Sequence, residues 1–255
     1  MSALLNYKLE GNGQAIVLLH GLFGSLSNLG LLARDLSQDH QVISLDLRNH
    51  GLSFHDYQHD YDLMAEDVAE TLKSISIHNA IVIGHSMGGK VAMRLAHIAP
   101  ELVKQLIVLD MAPVAYTQRR HDNVFYGLHA IIEHKPRNRA DALTLLAKHI
   151  ELDGVRQFLA KSLYIEGDHL AWRFNVEALI ANYSSILGWT PISKTSVPTL
   201  FVKGGESDYL TAEHQPMVQL QFDNAKAHII SGTGHWLHAE KPTEVIRVIR
   251  KFISS

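Results

Sequence analysis

Apolar positions along the chain follow two rhythms. Short aliphatic and β-branched runs predict strands at Ala15–Leu19 (AIVLL), Gln41–Leu47 (QVISLDL), Ala80–Ile83 (AIVI), Leu106–Leu109 (LIVL), Thr199–Val202 (TLFV) and Ala227–Ile230 (AHII). Between them the period changes to that of a helix. Over Asp62–Ser76, Leu63, Val68, Leu72 and Ile75 recur on one face, with Glu66, Asp67, Glu70 and Lys73 elsewhere. A second helix starts at Gly88-Gly89, runs through VAMRLAHIA and is stopped by Pro100. The last, Glu244–Ile253, keeps Val245, Ile246, Ile249 and Phe252 to one side. Strands that are apolar throughout, rather than alternately, belong to a sheet covered on both faces. Strands separated by helices require right-handed crossovers. The pattern therefore predicts an α/β fold with a mostly parallel central sheet and helices on both faces.

The alternation lapses between Pro113 and Pro198. Helical patterns such as Ala140–Leu152 and Val155–Leu163 occur there, and no strand is predicted. The expected organisation is a core domain formed by residues 1–112 and 199–255, with residues 113–198 as a helical cap inserted before the last two strands. Such a cap would lie over the carboxyl ends of the strands, where open α/β sheets bind ligands.

Composition narrows the function. At 255 residues the chain is sized for one or two domains, and 46% hydrophobic residues suffice for a full core. Lys plus Arg number 23 against 26 Asp plus Glu, a net charge of −3, so no chain-wide basic surface exists to bind nucleic acid. The absence of cysteine removes disulfides, thiolate metal sites and a cysteine nucleophile together. The start, MSALLNYKLEGNG, does not have the form of a signal peptide, and no apolar run is long enough to span a bilayer. A soluble, cytoplasmic protein is expected. Seventeen histidines invite a metal reading. His55 and His59 are four apart, but they fall in the polar stretch FHDYQHDYD without the His-Glu-x-x-His pattern. They are expected in a solvated loop, and the histidine excess mostly at the surface.

Candidate chemistry centres on IVIGHSMGGKV, in which Gly84-His85-Ser86-Met87-Gly88 joins a strand to a helix. This is the G-x-S-x-G pattern of a nucleophile elbow, whose tight turn needs small residues two before and two after the serine. A serine hydroxyl needs a base within hydrogen-bond reach. His235, in SGTGHWLHAEKP just after the last strand, is the best placed, whereas His20, His50, His85 and His238 each sit beside a turn and can bond to backbone. An oxyanion site would take the N–H of Met87 and a second from His20-Gly21-Leu22-Phe23-Gly24, Leu22 before Phe23.

Together these strings resemble the α/β-hydrolase superfamily over nearly the whole chain. HGLFGSLSNLG, Asp46-Leu47-Arg48-Asn49-His50-Gly51-Leu52-Ser53, GHSMGGK and GTGHWLHAEKP all recur in it. HGLFGSLSNLG, DLRNHG, APV with RRHD, and WRFN are more narrowly similar to the YbfF-type bacterial esterases. The resemblance implies the α/β-hydrolase fold, no cofactor, and cleavage of short-chain carboxylic esters or acyl-CoA thioesters. It also implies that the acid is Asp110, in LIVLDMAPV, with Ser207 nearby. Asp208, in VKGGESDYL, occupies the usual superfamily position, and the residues themselves leave both open.

In the cap, Trp172 and Phe174 are candidates to line an acyl pocket with Phe23 of the core, and Arg119 and Arg120 to attract the phosphates of an acyl-CoA. The expected partner is thus a small-molecule ester or acyl-CoA, with no nucleic acid and no membrane span. Competing functions on this fold are a cofactor-free perhydrolase, a carbon–carbon bond hydrolase, and a ligand receptor with little turnover.

Overall fold

The computed structural model describes residues 3–254. Met1, Ser2 and Ser255, which the expected core boundaries include, lie outside them. The chain opens with strands β1 (Tyr7–Glu10) and β2 (Ala15–Leu19), helix α1 (Gly30–Leu36), β3 (Gln41–Leu45) and α2 (Tyr61–Ser74). It continues with β4 (Ala80–His85), α3 (Met87–Ile98) and β5 (Val103–Leu109). Three helices follow, α4 (Asp122–His134), α5 (Arg139–Ala147) and α6 (Asp153–Ala160), then β6 (Leu163–Glu166), β7 (His169–Trp172), α7 (Val176–Ala181) and α8 (Tyr183–Leu187). The chain then returns to the sheet with β8 (Thr199–Gly204), α9 (Gln215–Gln221), β9 (Ala225–Ile230), α10 (Leu237–Glu240) and α11 (Pro242–Ile253).

The seven-stranded sheet has the order β1-β3-β2-β4-β5-β8-β9. Every pairing is parallel except β1 against β3. Successive side chains of each central strand enter opposite cores, as the two-residue strand repeat requires. Val17, Leu19, Val82, Leu106 and Val108 pack under α2 and α3, while Ile16, Leu18, Ile81, Ile83 and Ile107 pack under α1 and α11. Both faces are therefore buried, which is why the strand sequences are apolar throughout. A mostly parallel sheet with helices on both faces is the architecture that the sequence pattern implied.

Two strand regions depart from expectation. β1 was not predicted because Tyr7, Lys8 and Leu9 are exposed on a sheet edge, and an edge strand needs no apolar run. The segment between β5 and β8 is also not all helical. β6 and β7 form a two-stranded hairpin in which Glu166 faces His169 across Gly167-Asp168, with Gly167 at φ +64°. A two-residue Gly-Asp link is a hairpin signal, masked here by the helical spacing of the residues before it. This segment builds a third apolar cluster of its own, around Phe125, Leu128, Ile131, Trp172 and Phe174.

The histidines divide between core and surface. His20, His50, His59, His85 and His238 are buried, while the other twelve histidines are exposed or partly exposed, in line with an excess mostly at the surface. His59 does not sit in a solvated loop; its Nδ1 accepts from the Asn49 side chain at 3.3 Å, while His55 is exposed. Among the described residues no helix is long and apolar enough to cross a membrane.

The inserted segment is fastened where it returns to the core. Tyr61 of α2 donates to Ile186 O at 2.6 Å. Lys90 of α3 donates to Leu187 O at 3.1 Å and Gly188 O at 2.8 Å, and Arg94 to Thr190 O at 3.0 Å. The Lys90 ammonium is fully buried, 4.8 to 5.9 Å from the ring centres of Tyr116, Tyr61 and Trp189. Burial lowers its pKa from 10.5 to about 7. In the unfolded chain this lysine keeps its proton up to about pH 10. Between pH 7 and that value the unfolded state therefore binds more protons than the folded one, so stability attributable to Lys90 rises with pH. Urea unfolding from pH 7 to 9.5 should show the wild type gaining on Lys90→Met by ~1 kcal/mol per pH unit. Parallel curves would contradict the burial of an unneutralised ammonium.

Candidate active site

The site lies at the carboxyl end of the sheet, where β4 turns into α3. Ser86 occupies that turn at φ 54°, ψ −121°, a conformation L-residues rarely adopt. It is imposed by close backbone passage on both sides. A Cβ on Gly84 would stand 2.1 Å from Gly88 O, and one on Gly88 would stand 2.3 Å from Leu19 O. The turn therefore closes only with glycine at both positions, and it raises the serine side chain clear of the sheet.

His235, in the loop after β9, brings its Nε2 to 2.9 Å from Ser86 Oγ and its Nδ1 to 2.7 Å from Asp110 Oδ2. Asp110 follows β5 directly, at φ 52°, with its carboxyl fully buried. Its Oδ1 accepts from Gly204 N at 2.9 Å, and its Oδ2 accepts from the Ser207 hydroxyl as well as from the imidazole. Acceptor-only groups facing Nδ1 put the ring proton there, leaving the Nε2 lone pair to take the Ser86 hydroxyl proton. Asp208 does not reach this ring. Its side chain is 65% exposed and pairs at 2.5 Å with Arg120, which holds the carboxyl below its usual pKa range.

The imidazole is packed as well as bonded. Tyr209 stacks on it with centroids 4.0 Å apart, and burial pushes the Tyr209 phenol up to about 12, so it stays neutral. His85 donates from Nε2 to His235 O at 2.9 Å, fixing the backbone behind the ring, and burial keeps His85 itself uncharged. No sequence signal marked Tyr209, whose role depends on how the loop after β8 folds back.

Leu22 and Met87 both line a small cavity beside Ser86, and their amides are the candidate donors for an oxyanion. Met87 opens α3, and first-turn amides have no acceptor inside their helix. In the HGLFG loop, Phe23 N is already engaged, donating to His50 Nε2 at 3.2 Å, which leaves Leu22 N as the available donor.

Two cavities meet at Ser86. The larger, about 340 Å³, is lined by Phe23, His121, Val155, Phe158, His235 and Trp236. Burial lowers the pKa of His121 to about 4, so this ring is uncharged at neutral pH. The smaller, about 30 Å³, lies on the Met87 side among Lys90, Tyr116, Tyr183, Ile186 and Tyr209. Leu22 lines both.

The remaining predicted residues fall elsewhere. Trp172 and Phe174 stack on each other at 4.9 Å inside the inserted segment, with Trp172 Nε1 donating to Leu128 O, and they line neither cavity. Phe174 contributes indirectly, supporting Phe23 at 5.4 Å. Arg119 is exposed and paired with Asp122, whereas Arg120 edges the small cavity while bound to Asp208.

Comparison with known proteins gives a consistent picture. A family model described as "Alpha/beta hydrolase family" matches residues 16–248. The chain is 45% identical to Esterase YbfF of Escherichia coli (strain K12), covering 96% of this chain and 95% of that protein. It is 37% identical to sn-1-specific diacylglycerol lipase ABHD11 of Danio rerio, covering 96% and 80%. Among solved structures, a marine microorganism esterase superposes with a TM-score of 0.95 at 35% identity, covering 98% of this chain and all of that one.

Proposed function

Because the chain belongs to the alpha/beta hydrolase family, we propose that it is a serine hydrolase of carboxylic esters with short acyl groups. The observation that carries this reading is the Ser86–His235–Asp110 chain of hydrogen bonds beside two free amides. Ser86 Oγ attacks the ester carbonyl as His235 Nε2 takes its proton. The carbonyl oxygen, now negative, is held by Leu22 N and Met87 N. His235 then returns the proton to the departing alcohol, leaving an acyl-serine. Water attacks that ester with the same imidazole as base, releasing the acid and restoring Ser86. Asp110 holds the imidazole in the required tautomer and steadies its charged form.

The two cavities divide the substrate between them. The leaving oxygen must be protonated by His235, which lines the large cavity and not the small one. The alcohol therefore extends among Phe158, Trp236 and Val155, and the acyl group enters the small cavity past Met87. A space of about 30 Å³ admits about two water-sized groups beyond the carbonyl. In this reading residues 113–198 act as a cap, supplying Phe158 to one cavity and Tyr183 and Ile186 to the other. Acyl-CoA thioesters are open to the same chemistry, with their phosphates replacing Asp122 and Asp208 as the partners of Arg119 and Arg120.

With p-nitrophenyl butyrate as substrate, Ser86→Ala and His235→Ala should each lower kcat by at least about a thousandfold. Asp110→Asn should cost about 10⁴-fold, while Asp208→Asn stays within a few-fold of wild type. Comparable losses from Asp110→Asn and Asp208→Asn would overturn the assignment of the acid. Parallel rates on butyryl-CoA, repeated with Arg119→Ala and Arg120→Ala, decide the thioester arm: an unchanged KM in both variants removes the phosphate role.

Across a p-nitrophenyl ester series, kcat/KM should fall at least tenfold from butyrate to octanoate. Ile186→Ala, which opens the small cavity, should recover most of that loss on hexanoate. If instead Phe158→Ala shifts the acyl optimum and Ile186→Ala does not, the two ends of the substrate are assigned the wrong way round.

A further inference from the structure

The HGLFG loop that carries Leu22 is held by an exchange of two buried imidazoles with the Asp46–Ser53 turn. His20, from the first loop, accepts from Leu47 N of the second at 3.0 Å through its Nε2. His50, from the second, accepts from Phe23 N of the first at 3.2 Å, also through Nε2. A backbone N–H can only donate, so both Nε2 atoms are bare and both rings carry their proton on Nδ1. Those Nδ1 protons are satisfied by carbonyls of each ring's own loop, Gly21 O at 2.8 Å and Arg48 O at 2.9 Å. Each histidine thus braces its own turn and grips the backbone of the other, and the two rings meet edge to face at 5.1 Å.

What this exchange secures is a residue that would not stay in place unaided. Phe23 sits at φ 62°, a left-handed conformation that is costly for a bulky side chain. Its N–H is held by His50, and its carbonyl accepts from the Ser162 hydroxyl at 3.2 Å. The peptide that carries Leu22 N–H is held from its other end, because its carbonyl, Gly21 O, accepts from His20 Nδ1 at 2.8 Å and from Gly24 N at 3.0 Å. With Phe23 fixed by His50 on the far side, Leu22 is clamped between the two histidines and the direction of its N–H is set. The same bond removes Phe23 N–H as a rival donor.

We propose that His50, paired with His20, is the positioning residue of the oxyanion site: it locks Phe23 so that, of the amides in this loop, only Leu22 N–H joins Met87 N–H at the Ser86 oxyanion. This rests on the proposed serine-hydrolase reading for its effect on rate, although the clasp itself does not. Both rings must remain neutral, because an imidazolium has no lone pair with which to accept. Burial supplies that condition, lowering the pKa of His20 and taking that of His50 well below its ordinary value, with the adjacent His20 and His59 rings adding to the effect on His50. The Asp46 carboxylate supports the frame, accepting from Leu26 N at 2.7 Å, Leu52 N at 2.9 Å and the Asn6 side chain at 2.7 Å.

The test compares His50→Ala with His50→Gln, whose amide oxygen is a neutral acceptor. Three readouts are taken: kcat and KM on p-nitrophenyl acetate, the Ki of an alkyl trifluoromethyl ketone that forms a tetrahedral adduct, and the Ki of p-nitrophenol as a ligand making no oxyanion. Removing one oxyanion donor outright costs about 10²–10³-fold. Misdirecting it should cost His50→Ala about 10–100-fold in kcat, with KM within about threefold and the ketone weakened by the same factor as kcat/KM. Binding of p-nitrophenol should be unchanged, and His50→Gln should restore most of the loss. A merely structural role would lower thermal stability without coupling the ketone to kcat, and equal losses in both variants would overturn the proposal.

A measurement on the wild type covers the case in which the variants do not fold. ¹⁵N-histidine spectra should show His20 and His50 as Nδ1–H tautomers, unchanged from pH 8 to 5.5. An Nε2–H tautomer at His50, or its protonation in that range, sinks the clasp outright. Wild type inert on every ester, with the expected tautomers present, would instead fault the assigned activity and leave the clasp standing.

Discussion

The passage from β4 into α3 has no room for one additional carbon atom on either side of the serine. Gly84 lies against the carbonyl of Gly88, and Gly88 against that of Leu19 at the end of the neighbouring strand. Because the backbone closes so tightly, Ser86 is forced into a conformation it would not choose, and its hydroxyl leaves the sheet toward His235. The same closeness brings the first amides of α3 beside the end of β2, so that Met87 N–H and the loop after β2 face one point. The candidate nucleophile and both candidate oxyanion donors are placed by these two backbone contacts.

A related device acts one strand further along. Asp110, immediately after β5, also has positive φ, and its carboxyl is directed inward where Gly204 N–H, the Ser207 hydroxyl and the His235 ring converge on it. Full burial of a carboxylate is costly unless its lone pairs are engaged, and three donors engage them. The loop after β8 thus supplies a hydroxyl where it could have supplied a carboxylate, while Asp208 turns outward to Arg120. The charge of Asp208 serves the link between the loop after β8 and the inserted segment.

Local, repeated constraints were readable in the sequence. The elbow, the histidine after the last strand, the loop containing Leu22 and the central strands each express a short-range requirement in residue type. What depended on long-range placement was not. Asp110 and Asp208 could not be separated from the chain alone, because the choice turns on a distance across two strand ends. Trp172 and Phe174 are aromatic as a pocket requires, but the hairpin that carries them turns them into the interior of the inserted segment. His59 lies in a polar string, yet the turn at Asn49 draws it inside. Hydrophobic pattern reports how many faces an element buries, and here the unreadable cases were polar or aromatic residues whose burial is decided by the partner.

The fastening of the inserted segment has a mechanical consequence. Its last residues are gripped through their carbonyls by Tyr61, Lys90 and Arg94, and its first residues join them there, since Tyr116 N also donates to Leu187 O. Entry and exit are thus tied together, and the tie is made to α2 and to α3, the helix that follows Ser86. Away from those ends further bonds hold the segment, from Asn175 N to Asn49 O at 2.9 Å and from the Ser162 hydroxyl to Phe23 O at 3.2 Å. The small cavity, beside the tied ends, is thus held in register with the serine by hydrogen bonds, whereas the large cavity is closed over by the packing of Phe158 on Trp236 at 5.8 Å.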